Sequence, residues 1–190
     1  FKGSWLACWL SRLGAEVIGI SDRVPTEPSH FEMTSEDLTD DLRIDIRESS
    51  EILQVLEKHK PEFVFHLAAQ PIVFESYENP METFSVNAMG TASVLEALRV
   101  YDRPCMAIII TSDKCYDNVE WTHGYKETDR LGGKDPYSGS KGAAELVIRS
   151  YAESYFKKSE SKVLVAVGRA GNVIGGGDWA PFRIVPDCVR

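Results

Sequence analysis

Short apolar runs alternate along this chain with stretches in which apolar residues recur every three or four positions. Val17–Ile20, Phe63–Leu67, Cys105–Thr111 and Val163–Gly168 are runs of the first kind and predict strands, and Leu42–Ile46 alternates like a strand. Trp5, Leu6, Trp9, Leu10 and Leu13 share one helical face, with Ser4 as a candidate cap and Gly14 as the stop. A second helix is expected from a Ser49 or Ser50 cap to about His59, with Ile52, Leu53, Val55 and Leu56 apolar. A third is expected over about 81–100. A fourth starts at the Asp135 cap, carries Pro136 in its first turn and runs to about Phe156. Residues 22–41 are polar, contain two prolines and read as a loop.

Strands alternate with helices, and apart from Leu42–Ile46 the strands are short apolar runs rather than half-polar ones. That pattern predicts an α/β fold with a parallel sheet covered on both faces, the doubly wound Rossmann arrangement. Such a fold opens with a strand, a glycine-rich turn and a helix. Here the chain starts at the end of that turn, with Gly3 in the place of its last glycine. The expected architecture therefore lacks the first strand, which is central in the usual order. A chain without it is expected to be a piece of a longer protein and to fold poorly alone. Phe1 in place of a Met, and an end at Arg190 just past an apolar stretch, fit the same expectation. Residues 1–168 are expected to form a dinucleotide-binding domain, and 169–190 to begin a substrate-binding region.

Composition narrows the function classes. The chain has 190 residues, 43% of them hydrophobic and 26% charged, which reads as globular. The net charge is -8 and no basic stripe is present, which argues against nucleic acid as a partner. The four cysteines have no metal-ligand spacing, so no metal site is expected. Reduced thiols point to a cytoplasmic protein. Lys2, Arg12 and Glu16 interrupt the apolar start, so neither a membrane span nor a leader is expected there.

Two clusters carry candidate chemistry. Tyr137 and Lys141 are four apart on the capped helix and share a face. The helix dipole and the Lys ammonium both favour phenolate, which suits Tyr137 to take a proton from an alcohol. An ordinary surface pair is the alternative, against which the Asp-Pro cap and the preceding βαβ pattern weigh. Ser112, Asp113 and Lys114 follow directly on a buried strand, at the carboxyl end where open α/β sheets bind ligands. As a plain turn they would be unremarkable in composition. Beside the Tyr–Lys pair they add an acid and an amine that hydride transfer does not need. Proton transfer at carbon and loss of water become the expected second task. A Lys base must be neutral part of the time. Burial would help, whereas neighbouring Asp113 would hinder.

Other positions fit a dinucleotide. Phe1, Lys2 and Gly3 would face a pyrophosphate at the start of the first helix. Asp22, past the second strand, suits an adenosine ribose, with Arg23 leaving NAD or NADP open. Asp45 and Ile46 end the next strand, where an adenine would lie. Leu67, Ala68 and Ala69 are small or apolar at the following strand end, allowing close backbone approach. Asn87 lies on an otherwise apolar helix face and needs partners. Each of these also has a plain structural reading.

These residues together resemble the extended short-chain dehydrogenase/reductase family. The stretches His66-Leu67-Ala68-Ala69-Gln70-Pro71, Thr111 through Tyr116, and Arg169 through Trp179 are far more specific than a Tyr-x-x-x-Lys pair. Within the family the chain is similar to nucleotide-sugar 4,6-dehydratases. Lys114, where relatives acting on dTDP-glucose have Glu, points to the branch acting on CDP-glucose. A dTDP-glucose dehydratase or a 4-epimerase is the alternative. Phe74-Glu75 and Phe182 depart from the family pattern, where relatives often carry Arg and Asp. The resemblance implies NAD as cofactor, Tyr137 as the C4 base and Lys141 as its ribose-binding partner. It implies Lys114 as the C5 base, Asp113 as the acid at the C6 hydroxyl, and Ser112 on the C4 oxygen. Gln70 and Asn172 would join Ser112 in binding the nucleotide sugar. A homodimer through the helices near 81–100 and 136–156 is implied as well, in lipopolysaccharide O-antigen synthesis.

Overall fold

A computed structural model describes residues 1–189. The chain forms two compact units, one made of Phe1–Asp45 with the segment from Asn172 onward, the other of Ile46–Gly171. Each holds its own parallel sheet, as the α/β reading expects.

In the first unit, α1 (Lys2–Arg12) leads to β1 (Ile18–Ile20), α2 (His30–Thr34) and β2 (Asp40–Leu42), and α8 (Ile184–Val189) closes it. Gly14 ends α1 with φ +91, a backbone state that only glycine adopts freely. Ser4 is not the cap. Phe1 holds that position, and Ser4 Oγ, inside the helix, donates to the Phe1 carbonyl at 2.8 Å. The expected loop over 22–41 contains α2, because Ser29 and Glu32 make a reciprocal capping box around it. β2 lies earlier than the expected 42–46. It pairs Asp40 with Ile18 and Leu42 with Ile20, and β1 is only three residues long. Past the Gly175–Gly177 turn lies a short helix, α8, with Pro186 tolerated in its first turn.

The second unit carries the larger core. β3 (Phe63–His66), β4 (Cys105–Ile110) and β5 (Val163–Gly168) lie side by side with β4 central. The register runs from Phe63↔Met106 and Cys105↔Val163. The helices are α3 (Ser49–His59), α4 (Val73–Glu78), α5 (Pro80–Phe84), α6 (Thr91–Val100) and α7 (Pro136–Tyr151). A wider π-type segment, Ser85–Gly90, joins α5 to α6, so the expected 81–100 helix is one rod with a bulge. A second such segment, Ala152–Phe156, extends α7 to the expected end. The α3 cap is Glu48 rather than a serine: its carbonyl closes the first turn to Glu51 and Ile52.

Alternation along β4 decides where the core sits. Cys105, Ala107 and Ile109 are buried on one face, while Met106, Ile108 and Ile110 on the other are less so. Leu95 and Leu98 from α6, Ile52 and Leu56 from α3, and Ala144 and Ile148 from α7 complete the buried set. Burying one such Leu or Ile stabilises by about 1.5–3 kcal/mol. The consequence for function is positional. α7 is fixed by its own apolar face, so the opposite end of that face can carry polar chemistry.

Candidate active site

The strand β4 ends at Ile110, and Thr111 and Ser112 carry the chain into a tight 3-10 turn, Asp113–Cys115. Ser112 caps that turn, its Oγ accepting from the Lys114 N–H at 3.2 Å. The same hydroxyl donates to Asp113 Oδ1 at 3.2 Å. The Asp113 N–H is held by the Ala170 carbonyl at 3.0 Å, just beyond β5. Lys114 Nζ lies 3.7 Å from Asp113 Oδ2, and both side chains are about half exposed. An acid and an amine in contact thus stand at the carboxyl end of the central strand of this sheet. Cys115, buried beneath them, has its thiol pushed up to about 11 by burial first and by Glu145 next, so it stays protonated and inert.

α7 brings the other pair. Asp135 caps it as expected, accepting from the Ser138 N–H at 2.9 Å, with Pro136 in the first turn. Tyr137 and Lys141 are both buried, and Lys141 Nζ sits 5.9 Å from the centre of the Tyr137 ring. The helix packs directly on the Asp113–Cys115 turn. Gly142, the residue after Lys141, faces the backbone of this region. A Cβ there would lie 3.0 Å from the Gly132 carbonyl and 3.5 Å from that of Cys115. The five expected catalytic residues are therefore carried by two elements of one unit that pack on each other.

Asn87 supplies the buried support that the sequence left open. It accepts from the Gln70 N–H at 2.8 Å and donates to the Gln70 carbonyl at 3.0 Å and to Ser140 Oγ at 2.9 Å. Ser140 Oγ in turn donates to the Tyr137 carbonyl at 2.7 Å. Asn87 is thus a strut between the Leu67–Gln70 segment and the first turns of α7. The Gln70 side chain is engaged too, its Nε2 donating to Thr83 Oγ1 at 2.9 Å. Leu67, Ala68 and Ala69 follow β3 half-buried. Ile46 is buried, at the start of the same unit.

His66, at the end of β3, was not singled out from the sequence. It is buried, with Nε2 3.1 Å from Thr91 Oγ1. That hydroxyl donates its one proton to the Asn87 carbonyl at 2.7 Å. His66 must then donate from Nε2, which selects the neutral Nε2–H tautomer. Burial, and after it the charge of Lys141, push His66 down to about 4. Glu145, Arg169 and Ser140 were missed as well. Glu145 had a visible signal, since it lies eight residues after Tyr137 on the same helix face.

The remaining expected cofactor residues lie in the first unit. Phe1 and Lys2 are half-buried and Gly3 is exposed in the first turn of α1, with nothing within 4 Å of where a Cβ would be. Burial, then the neighbouring Arg183, push the Lys2 ammonium down. Asp22 is exposed and 3.7 Å from Arg23. Asp45 is half-buried and Asn172 exposed. Among the described residues no group of three His, Cys, Asp or Glu side chains converges as a metal site would require, and no helix is long and apolar enough to cross a membrane.

The family model described as GDP-mannose 4,6 dehydratase matches residues 1–165. A CDP-glucose 4,6-dehydratase of Salmonella typhimurium is 48% identical over 194 residues, covering 100% of this chain and 54% of the relative. A GDP-mannose 4,6-dehydratase of Vibrio cholerae is 32% identical, covering 80% of this chain and 43% of the relative. Among solved structures, a UDP-glucose 4-epimerase of Thermus thermophilus in complex with NAD superposes with TM-score 0.77 at 27% identity, covering 95% of this chain and 55% of that one. The chain spans about half the length of the curated relatives it matches.

Proposed function

Because the chain belongs to the GDP-mannose 4,6 dehydratase family, we propose that its protein is an NAD-dependent nucleotide-sugar 4,6-dehydratase that acts on CDP-glucose. The observation that carries this reading is the packing of the Asp113–Lys114 pair against the helix that bears Tyr137 and Lys141. A redox pair alone would serve an epimerase or a reductase. An acid and an amine placed beside it give the site a means to remove a C–H proton and expel a hydroxyl. The 48% identity to a relative named for CDP-glucose supports the substrate.

The residues fit a dinucleotide. In the second unit the small residues Ala68 and Ala69 leave the backbone past β3 open to a flat ligand, and Lys141 offers an ammonium to a ribose. In the first unit the start of α1 at Lys2 and Gly3 is a helix N-terminus with open space where a Gly3 Cβ would be, and Asp22 offers a carboxylate for a second ribose. Bound NAD would supply the hydride acceptor at C4 and the hydride donor at C6, ending each turnover as it began. Tyr137 takes the C4 hydroxyl proton, with Ser112 bonded to the C4 oxygen. Lys141 holds the phenol and ribose in register. Lys114 removes the C5 proton, which a C4 ketone acidifies, Asp113 protonates the departing C6 hydroxyl so that it leaves as water, and Lys114, exchanged with solvent, returns a proton to C5 as hydride reaches C6. Gln70 and Asn172 complete the substrate contacts.

The proposal includes a cytoplasmic homodimer. Met81 on α5, Met89 on the bulge and Leu146 on α7 are 81%, 61% and 57% exposed, an apolar set suited to a second copy. The test of function is a substrate panel. The full-length protein, given CDP-glucose, dTDP-glucose and GDP-mannose in turn, is expected to release a 4-keto-6-deoxy product from the first. Inversion at C4 with the C6 hydroxyl retained would favour a 4-epimerase instead.

A further inference from the structure

Glu145 and Arg169 form a buried ion pair that none of the roles above uses. Glu145 is 5% exposed and the Arg169 side chain 17%. The guanidinium donates twice to the carboxylate, Nε to Oε1 at 2.9 Å and Nη2 to Oε2 at 2.8 Å. This two-pronged bond holds the Arg169 guanidinium more firmly protonated than usual. A buried ion pair is weak evidence of stabilisation, since desolvation offsets much of the attraction. What the pair touches is more informative.

Glu145 continues the stripe of Tyr137 and Lys141 by one more turn of α7. Its Oε1 also accepts from Thr111 Oγ1, the residue directly before Ser112. Arg169 follows β5 directly and precedes Ala170, whose carbonyl holds the Asp113 N–H. Its Nη1 reaches across to Tyr116 Oη at 2.9 Å, at the far end of the turn, and to the Glu127 carbonyl at 3.2 Å. One carboxylate and one guanidinium thus bond the helix of the Tyr–Lys pair, the entry to the Asp–Lys turn and its exit. Their rigid fork fixes distance and angle together, which a Lys in place of Arg would not.

We propose that Glu145 and Arg169 are positioning residues that set the Asp113–Lys114 turn against the Tyr137–Lys141 helix, so that deprotonation of the C4 hydroxyl and of C5 occur in one bound geometry. This rests on the dehydratase reading. A displacement of about 1 Å between such groups can cost a reaction about 100-fold. Loosening the brace acts on turnover, and leaves nucleotide-sugar binding to other residues.

Two variants of the full-length protein test it. Arg169→Lys keeps the charge and removes the fork. Thr111→Val removes one arm with little change of shape and no buried charge left bare, so it serves if Arg169→Lys fails to fold. The expected result for Arg169→Lys is a kcat lower by about 10- to 100-fold with KM within about two-fold, and for Thr111→Val a smaller loss of the same kind. Amide hydrogen exchange of residues 113–116 should quicken in both, while that of α3, which is remote from the brace, stays at the wild-type rate. Unchanged exchange at 113–116 overturns the brace whatever the activity. Faster exchange with unchanged kcat overturns its role in positioning. A wild-type protein inactive on nucleotide sugars overturns the dehydratase reading instead, and the exchange rates alone then decide whether the brace holds the turn.

Discussion

Lowering the pH should weaken the second unit through one residue, His66. Its imidazole is buried at the end of β3 and neutral, with its Nε2–H committed to Thr91. Burial, then the Lys141 charge, hold it down to about 4 against an ordinary 6.5. Between those two values the unfolded chain binds a proton there and the folded chain does not. Stability therefore rises with pH across that window, and is lost as pH falls through it. The full difference corresponds to about 3 kcal/mol at about 1.4 kcal/mol per pH unit. Between pH 7 and pH 5 the part lost is about 2 kcal/mol, since titration of the unfolded form starts near 6.5. Urea unfolding of the full-length protein across this range reads it, with His66→Gln as the control that keeps a donor for Thr91 but does not titrate. The wild type should lose about 2 kcal/mol more than the variant over this interval. Parallel stability curves for the two proteins would refute the assignment of a neutral, buried His66.

Two further outcomes follow from the site. Asn87→Ala strands the Gln70 N–H, the Gln70 carbonyl and one bond to Ser140. At about 1–3 kcal/mol for a buried group left unpaired, the second unit should lose at least about 2 kcal/mol by urea unfolding; a loss under about 0.5 kcal/mol would show that the strut carries nothing. Lys114→Ala should leave oxidation at C4 measurable in a single turnover and abolish exchange of the C5 hydrogen with solvent; unaltered exchange would remove Lys114 from the role of base.

What could be read from the sequence depended on whether the signal was local. β5 falls where the apolar run Val163–Gly168 places it, and α7 starts where the Asp135-Pro136 cap says it must. Both rest on neighbouring residues. α2 was hidden because five residues show no periodicity, and only the Ser29–Glu32 box marks it. α4 was hidden in the same way, in six residues between two prolines. Ser4 misled because a serine before an apolar face looks like a cap, whereas its hydroxyl contacts His30 Nδ1 at 2.8 Å, 26 residues away. The same divide runs through the site. Tyr137 and Lys141 declare themselves by spacing on one helix. Glu145 stands at the next step of that spacing, but its meaning comes from Arg169, 24 residues on, and Thr111, 34 residues back. The Ser112–Asp113–Lys114 turn was legible as chemistry only because it ends a buried strand. Its contact with α7 needed the fold.

The central claim is that the Asp113–Lys114 turn converts a redox site into one that eliminates water. Running the full-length protein with CDP-glucose and NAD in deuterated water tests it most directly, with the product read by NMR at C5 and C6. The expected product is a 4-keto-6-deoxy sugar with deuterium at C5 and the substrate's C4 hydrogen at C6. A product with the C5 hydrogen retained and the C6 hydroxyl intact would contradict it.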